Sequence, residues 1–229
     1  MTRCPDPAGC PVADSGRLVA APRHTLRADT VWARCYDSTW GYDEPNPGFG
    51  DTRFAPFRDA AGTFVPTMYL AENAAGALLE TVFHDTLPGG VIYDAVLRGR
   101  LLTYLSPPAD LLMVDLRDPA LDHLGVPRSA VASSPAEHYS CTRRIAEAIY
   151  AADAAVHGIV WHSRQTEFHR SAGRPVPDSE VALVFTDRLS DRRGSWTRRA
   201  LQTVSLGSGE GRTLVDEVAE ALDVTTITT

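Results

Sequence analysis

Residues Thr67-Met68-Tyr69-Leu70-Ala71 and Ala77-Leu78-Leu79-Glu80-Thr81-Val82-Phe83-His84 decide how this chain is read. The stretch from Val65 to Leu70 has the apolar, partly β-branched and aromatic content of a short strand. Asn73 behind it suits a helix N-cap, and the pattern predicts a helix from Ala74 to about Asp85, stopped before Pro88-Gly89-Gly90. Tyr69 and Glu80 then lie on consecutive elements. Glu80 needs an explanation, because apolar residues flank it on both sides and an ionised carboxylate at the edge of a buried face is costly without partners. A place in a functional site is one explanation; a helix-surface glutamate is the other.

Outward from this stretch, strand and helix signals are mixed. Trp32 to Tyr36, Val91 to Leu97, Leu111 to Leu116, Ile159 to Arg164 and Val181 to Phe185 read as strands. A loop rich in Gly, Pro and Asp from Asp37 to Gly50 reads as a surface feature near a site. Ser134-Pro135-Ala136-Glu137 combines an N-cap serine, a first-turn proline and a capping-box glutamate. Ile145, Ala148, Ile149, Ala152, Ala155 and Val156 follow at helical spacing as core, with Gly158 ending that helix. Gly207 to Gly211 reads as a flexible connection before a helix from about Leu214 to Leu222, since a phosphate loop would need a lysine and different spacing. With no regular βαβ repeat and no GxGxxG motif opening a helix, the expected class is α+β: mixed, mostly antiparallel sheets flanked by helices. The first 25 residues are expected to be a flexible tail and residues 26–229 one domain.

The chain has 229 residues, of which 44% are hydrophobic and 22% charged, and a formal charge of −7. That balance argues against direct binding to bulk nucleic acid, whose phosphates call for a basic surface. No apolar run is long enough to span a bilayer and the first residues lack the apolar core of a secretion signal, so a cytoplasmic protein is expected. Arg192, Arg193, Arg198 and Arg199 form a basic cluster that reads as a solvated face rather than a partner surface. Cys4, Cys10, Cys35 and Cys141 show neither the close pairs of a zinc site nor the density of a disulfide scaffold. Cys4 and Cys10 would bind metal only with a distant partner such as His24. His138, His157, His162 and His169 have no ligand spacing, and no metal centre is expected.

The residues suited to chemistry are Arg34, Arg53, Tyr69, Glu80 and Ser163, each at the edge of an expected strand or helix. Each also has a plain reading: a surface ion pair for either arginine, core filling for Tyr69, a strand-end serine for Ser163. His84, about one helical turn after Glu80, shares its face and reads as a structural histidine. No base is placed to make Ser163 a nucleophile.

Taken in order, Arg34, Arg53, Tyr69-Leu70-Ala71, Glu80 with His84, and Gly158-Ile159-Val160-Trp161-His162-Ser163-Arg164 resemble the RES domain, named for its arginine, glutamate and serine. The resemblance covers roughly residues 30 to 187. Around Arg53 the chain reads Gly50-Asp51-Thr52-Arg53-Phe54, where many relatives have glycine directly before the arginine; only the following aromatic position fits.

The resemblance implies a fold similar to ADP-ribosyltransferases and an NAD-consuming enzyme, an NAD glycohydrolase or NAD phosphorylase. It also implies the toxin role in a toxin–antitoxin pair, with a helix-turn-helix antitoxin covering the site. NAD would be substrate rather than cofactor, with phosphate as co-substrate in phosphorolysis. Alternatives are an ADP-ribosyltransferase acting on a macromolecule and a non-catalytic nucleotide- or partner-binding module. Cleaving nicotinamide from ribose builds positive charge on an oxocarbenium-like sugar, as in glycoside cleavage. Glu80 would oppose that charge, an effect worth about 3 kcal/mol. Arg34 and Arg53 would grip the pyrophosphate through forked hydrogen bonds of about 1.5–3 kcal/mol each. Tyr69 would stack on nicotinamide, and Ser163 would orient Glu80 or bind a phosphate. The expected catalytic set is therefore Glu80, Arg34 and Ser163, and the expected binding set Arg34, Arg53, Tyr69 and Ser163.

Overall fold

The computed structural model describes residues 4–173, 178–189, 196–198 and 203–228. In chain order its elements are α1 (Ser15–Val19), β1 (Arg23–Leu26), β2 (Trp32–Asp37), β3 (Thr67–Ala71), α2 (Ala74–Leu79), β4 (Val91–Tyr93), α3 (Asp94–Leu97), β5 (Arg100–Ser106) and β6 (Leu111–Asp115). There follow α4 (Asp118–His123), α5 (Tyr139–Ala152), β7 (Gly158–His162), α6 (Arg164–Ser171), β8 (Glu180–Phe185), β9 (Thr197–Arg198), β10 (Val204–Ser205), α7 (Gly209–Leu222) and β11 (Thr225–Ile227). A nine-stranded sheet runs β1-β6-β7-β8-β3-β2-β5-β10, with β9 also pairing β5. Within it only β6 and β7 pair in parallel among the described residues; every other ladder is antiparallel. The architecture is the mixed, mostly antiparallel α+β arrangement expected from the sequence.

The central strands are apolar on both faces because both are covered, so they read as continuous runs instead of alternating ones. Along β7 and β8, Ile159, Trp161, Val181, Leu183 and Phe185 enter a cluster with α1 and α5 residues such as Leu18, Ile145 and Ile149. The intervening Val160, Ala182 and Val184 pack on the other side with Trp32, Met68 and Leu70. A third cluster joins Ala33 and Ala71 to Leu78 of α2 and Val215 and Leu222 of α7. Tyr69 packs against the first cluster and Ala71, two residues along the same pleated face, belongs to the third. A cavity opens where these two clusters meet.

Several elements differ from expectation for local reasons. The segment expected to be a tail is built into the body: Leu18 is fully buried, Ala13 N donates to Ala130 O at 2.9 Å, and β1 pairs β6 from Arg23 to Leu26. Asn73 caps α2 as expected, Oδ1 accepting from Gly76 N at 2.7 Å, but the helix closes at Leu79. Glu80 is its C-cap, and Val82 N and Phe83 N both turn back to Leu78 O. Val91 to Leu97 divides into β4 and α3. Ser134 makes no capping box; it is fully buried and its Oγ accepts from Arg53. The long helix α5 stops at Ala152 because Asp153 leaves helical geometry and its carboxylate accepts from Ala155 N at 2.9 Å, a local turn. Ala152 and Ala155 are accordingly exposed, and Ala146 joins Ile145 and Ile149 in the core. Gly158 does not end that helix but starts β7, where a Cβ would stand 2.1 Å from Leu183 O. Gly209 and Gly211, expected in a flexible connection, form the first turn of α7. Of the basic cluster, Arg192, Arg193 and Arg199 lie outside the described residues; Arg198 sits over the Tyr42 ring at 5.2 Å.

Candidate active site

A cavity of about 320 Å³ is lined by Arg34, Arg53, Tyr69 and Glu80, together with Thr52, His84 and Arg100 and residues of the 38–50 loop. Four of the five side chains singled out from the sequence thus share one space. Ser163 is fully buried behind it and acts on the cavity through Glu80.

Glu80 reaches this position because α2 is short and close to the sheet. A Cβ on Gly76 would stand 2.0 Å from Ser179 Oγ, so only glycine lets the helix sit this low over the start of β8. Ser163 follows β7 directly; two residues earlier on the same face, Trp161 supports the Tyr69 ring edge-on at 5.9 Å. The Ser163 hydroxyl accepts from Gln165 N at 3.2 Å, as an N-cap for α6, and donates to Glu80 Oε1 at 2.5 Å. Both roles of the hydroxyl are committed, which leaves it a positioning group rather than a nucleophile. Glu80 Oε2 has no described donor, so one carboxylate oxygen is fixed and the other is left for a ligand.

The two arginines are held differently. Arg34 donates from Nη1 to Tyr42 O at 2.5 Å and from Nη2 to Glu44 O at 2.6 Å, tying β2 to the loop that follows it. Burial lowers its pKa to about 10, partly offset by nearby acidic groups, so it is a cation at neutral pH. Arg53 donates from Nη1 alone, to Ser134 Oγ at 2.8 Å, Ser134 O at 3.0 Å and Val131 O at 3.2 Å. Its guanidinium lies 5.1 Å from the Tyr139 ring centre, and Thr142 Oγ1 donates to its carbonyl. Among the described residues no acceptor meets its Nε or Nη2. Burial lowers its pKa as well.

The Tyr69 ring is half-buried, with its hydroxyl bonded to Thr52 Oγ1 at 2.8 Å and accepting from Phe54 N at 3.3 Å. Burial pushes that hydroxyl up to about 12, so it stays protonated at neutral pH. His84 Nε2 meets Tyr139 OH at 3.1 Å and Nδ1 meets Asp85 at 2.9 Å, which holds the ring across the cavity wall. At the mouth, Trp40 and Phe49 stand 39% and 64% exposed with ring centres 6.1 Å apart. Ser134, Thr142 and Tyr139 also support the site; Ser134 has the local pattern of a helix cap, and nothing in the spacing ties any of the three to Arg53. Among the described residues no helix is long and apolar enough to cross a membrane.

A search of the curated proteins finds no match. In fold the chain is similar to a chain in the crystal structure of the M. tuberculosis MbcT–MbcA toxin–antitoxin complex, with a TM-score of 0.57 at 17% identity, over 90% of this chain and 96% of that one. The model of the RES domain matches residues 24–195, three-quarters of the sequence, and the chain belongs to the RES domain family.

Proposed function

We propose that the protein cleaves the nicotinamide–ribose bond of NAD, by hydrolysis or phosphorolysis, and is the toxin of a toxin–antitoxin pair acting in the cytoplasm. The observation that carries this reading is the Glu80 carboxylate, held through one oxygen by Ser163 and open through the other, in a cavity that also contains two buried guanidinium groups and one face of Tyr69. A carboxylate so placed stabilises the cationic sugar that forms as nicotinamide leaves, and a preorganised charge does so without reorganising during the reaction. Arg53, with Nε and Nη2 uncommitted, is the better fork for the pyrophosphate; Arg34 contributes charge and fixes the loop. Tyr69 offers a face for the nicotinamide ring. The cavity is at the small end of ligand sites, which run to about 1,000 Å³, so the dinucleotide would extend past Trp40 and Phe49.

The solved toxin–antitoxin complex of similar fold supports a protein partner. We assign it the helix-turn-helix type implied by the family resemblance, seated over the aromatic mouth. The test is to incubate purified protein with NAD and identify products with and without phosphate. Nicotinamide with ADP-ribose indicates hydrolysis, and nicotinamide with ADP-ribose 1″-phosphate indicates phosphorolysis. Release seen only with an added macromolecule, which becomes labelled, would move the reading to ADP-ribosyl transfer. No nicotinamide under any of these conditions would overturn it.

A further inference from the structure

Four side chains that do not line the cavity meet at the N-terminal end of α5. Cys4 and Cys10, on the N-terminal loop, converge with His138, the N-cap of α5, and Cys141 in its first turn. His138 Nδ1 is 3.7 Å from Cys10 Sγ, 3.9 Å from Cys4 Sγ and 4.0 Å from Cys141 Sγ. All four donor atoms lie within 4.8 Å of one another. A tetrahedral zinc, with bonds of about 2.3 Å to sulfur and about 2.05 Å to nitrogen, sets sulfur–sulfur separations of about 3.8 Å and sulfur–nitrogen separations of about 3.6 Å. The observed sulfur–nitrogen distances exceed that ideal by a few tenths of an ångström, and no pair of donor atoms is more than about 1 Å wider than the closed shell.

We propose that Cys4, Cys10, His138 and Cys141 bind one structural zinc ion. Three thiols aim at a single imidazole nitrogen, which has one lone pair or one proton to offer and so satisfies one of them at a time. One metal ion satisfies all four. The donor set of three soft sulfurs and an imidazole in near-tetrahedral array selects zinc, and four protein ligands close the shell, which makes the role structural rather than catalytic. On binding, each thiol releases its proton to solvent and gives a sulfur lone pair to the metal, with no change of oxidation state. The resulting shell has one net negative charge, and Arg144 Nη2, 3.3 Å from Cys141 Sγ, faces it. His138 and Cys141 are buried and lie three residues apart on one helical face; Cys4 and Cys10 cover them from the loop. His24, the partner suggested by the sequence, instead pairs with Met113 in the sheet and is not in the cluster.

The ion would pin the N-terminal loop to the turn of α5 that supports Arg53 through Tyr139 and Thr142. The inference is independent of the NAD reading, and its test needs no activity. Untagged full-length protein is purified under reducing conditions without chelator, and its metal is measured by elemental analysis. One zinc per chain is expected, with near-complete loss in Cys4→Ser and Cys10→Ser, whose side chains are outside the core, and full retention in Cys35→Ser. Cobalt(II) added to the stripped protein should give intense tetrahedral d–d bands with thiolate charge transfer. Zinc should slow the reaction of these thiols with a disulfide reagent at least about tenfold. Reduced protein that neither retains nor takes up zinc, a cobalt spectrum of octahedral type, or a Cys4–Cys10 disulfide in place of metal would each overturn the proposal.

Discussion

The floor and the mouth of the cavity are built in opposite ways. At the floor, Glu80, Ser163 and Arg53 come from the end of α2, the end of β7 and the loop before β3, and buried hydrogen bonds fix each of them. At the mouth, Trp40 and Phe49 stand exposed on a loop tied to the sheet by the Arg34 guanidinium and by a backbone bridge from Asn46 to Thr67. A buried, bonded charge is set before the ligand arrives, whereas an exposed aromatic pair can adapt to whatever lies against it. On the proposed function, Glu80 and Ser163 at the floor serve the chemical step and the mouth serves binding, and kcat and KM can separate the two.

The largest effect is expected from Glu80→Gln, which keeps the shape and removes the charge: kcat should fall about 10²- to 10³-fold with KM little changed and the thermal midpoint preserved. Ser163→Ala comes next. It frees Glu80 Oε1 and uncaps α6, so kcat should fall about tenfold to a hundredfold, and urea unfolding should show a loss of about 1 kcal/mol. Arg34→Lys replaces a fork by a single point charge, releases one of the two loop carbonyls and should act mainly on KM. Phe49→Ala should raise KM about fivefold, the equivalent of one lost aromatic contact of about 1 kcal/mol, and leave kcat unchanged. A fall in kcat for Phe49→Ala as deep as that for Glu80→Gln would abolish the distinction between floor and mouth.

The smallest effect concerns pH. Because burial holds the Tyr69 hydroxyl protonated up to about 12, Tyr69→Phe should leave the shape of the pH–rate profile unchanged. An alkaline limb that disappears in this variant would show that the hydroxyl titrates in the working range.

The elements that deliver Glu80 and Ser163 to the floor are legible from local signals, whereas the bonds that fix Arg53 there are not. Asn73 announces the helix that delivers Glu80, and the apolar run before Ser163 announces the strand that delivers it. The mixed antiparallel sheet followed from the same strand runs and the missing βαβ rhythm. What could not be read were contacts that depend on distant chain segments. Ser134 has the local pattern of a helix cap, yet a buried guanidinium arriving from Arg53 claims its hydroxyl. The N-terminal segment looks like a tail by composition, but Leu18 finds a hydrophobic cluster that only the folded sheet and α5 create. The grouping of Cys4 and Cys10 with His138 and Cys141 is of the same kind, since no spacing rule links residues so far apart.

The central claim is that the Glu80 carboxylate drives nicotinamide departure. The direct measurement is release of free nicotinamide from NAD by wild type and by Glu80→Gln, at equal concentration and with matched thermal midpoints. The account predicts steady release by the wild type and a loss of at least about a hundredfold in the variant. Equal release by both proteins would contradict it.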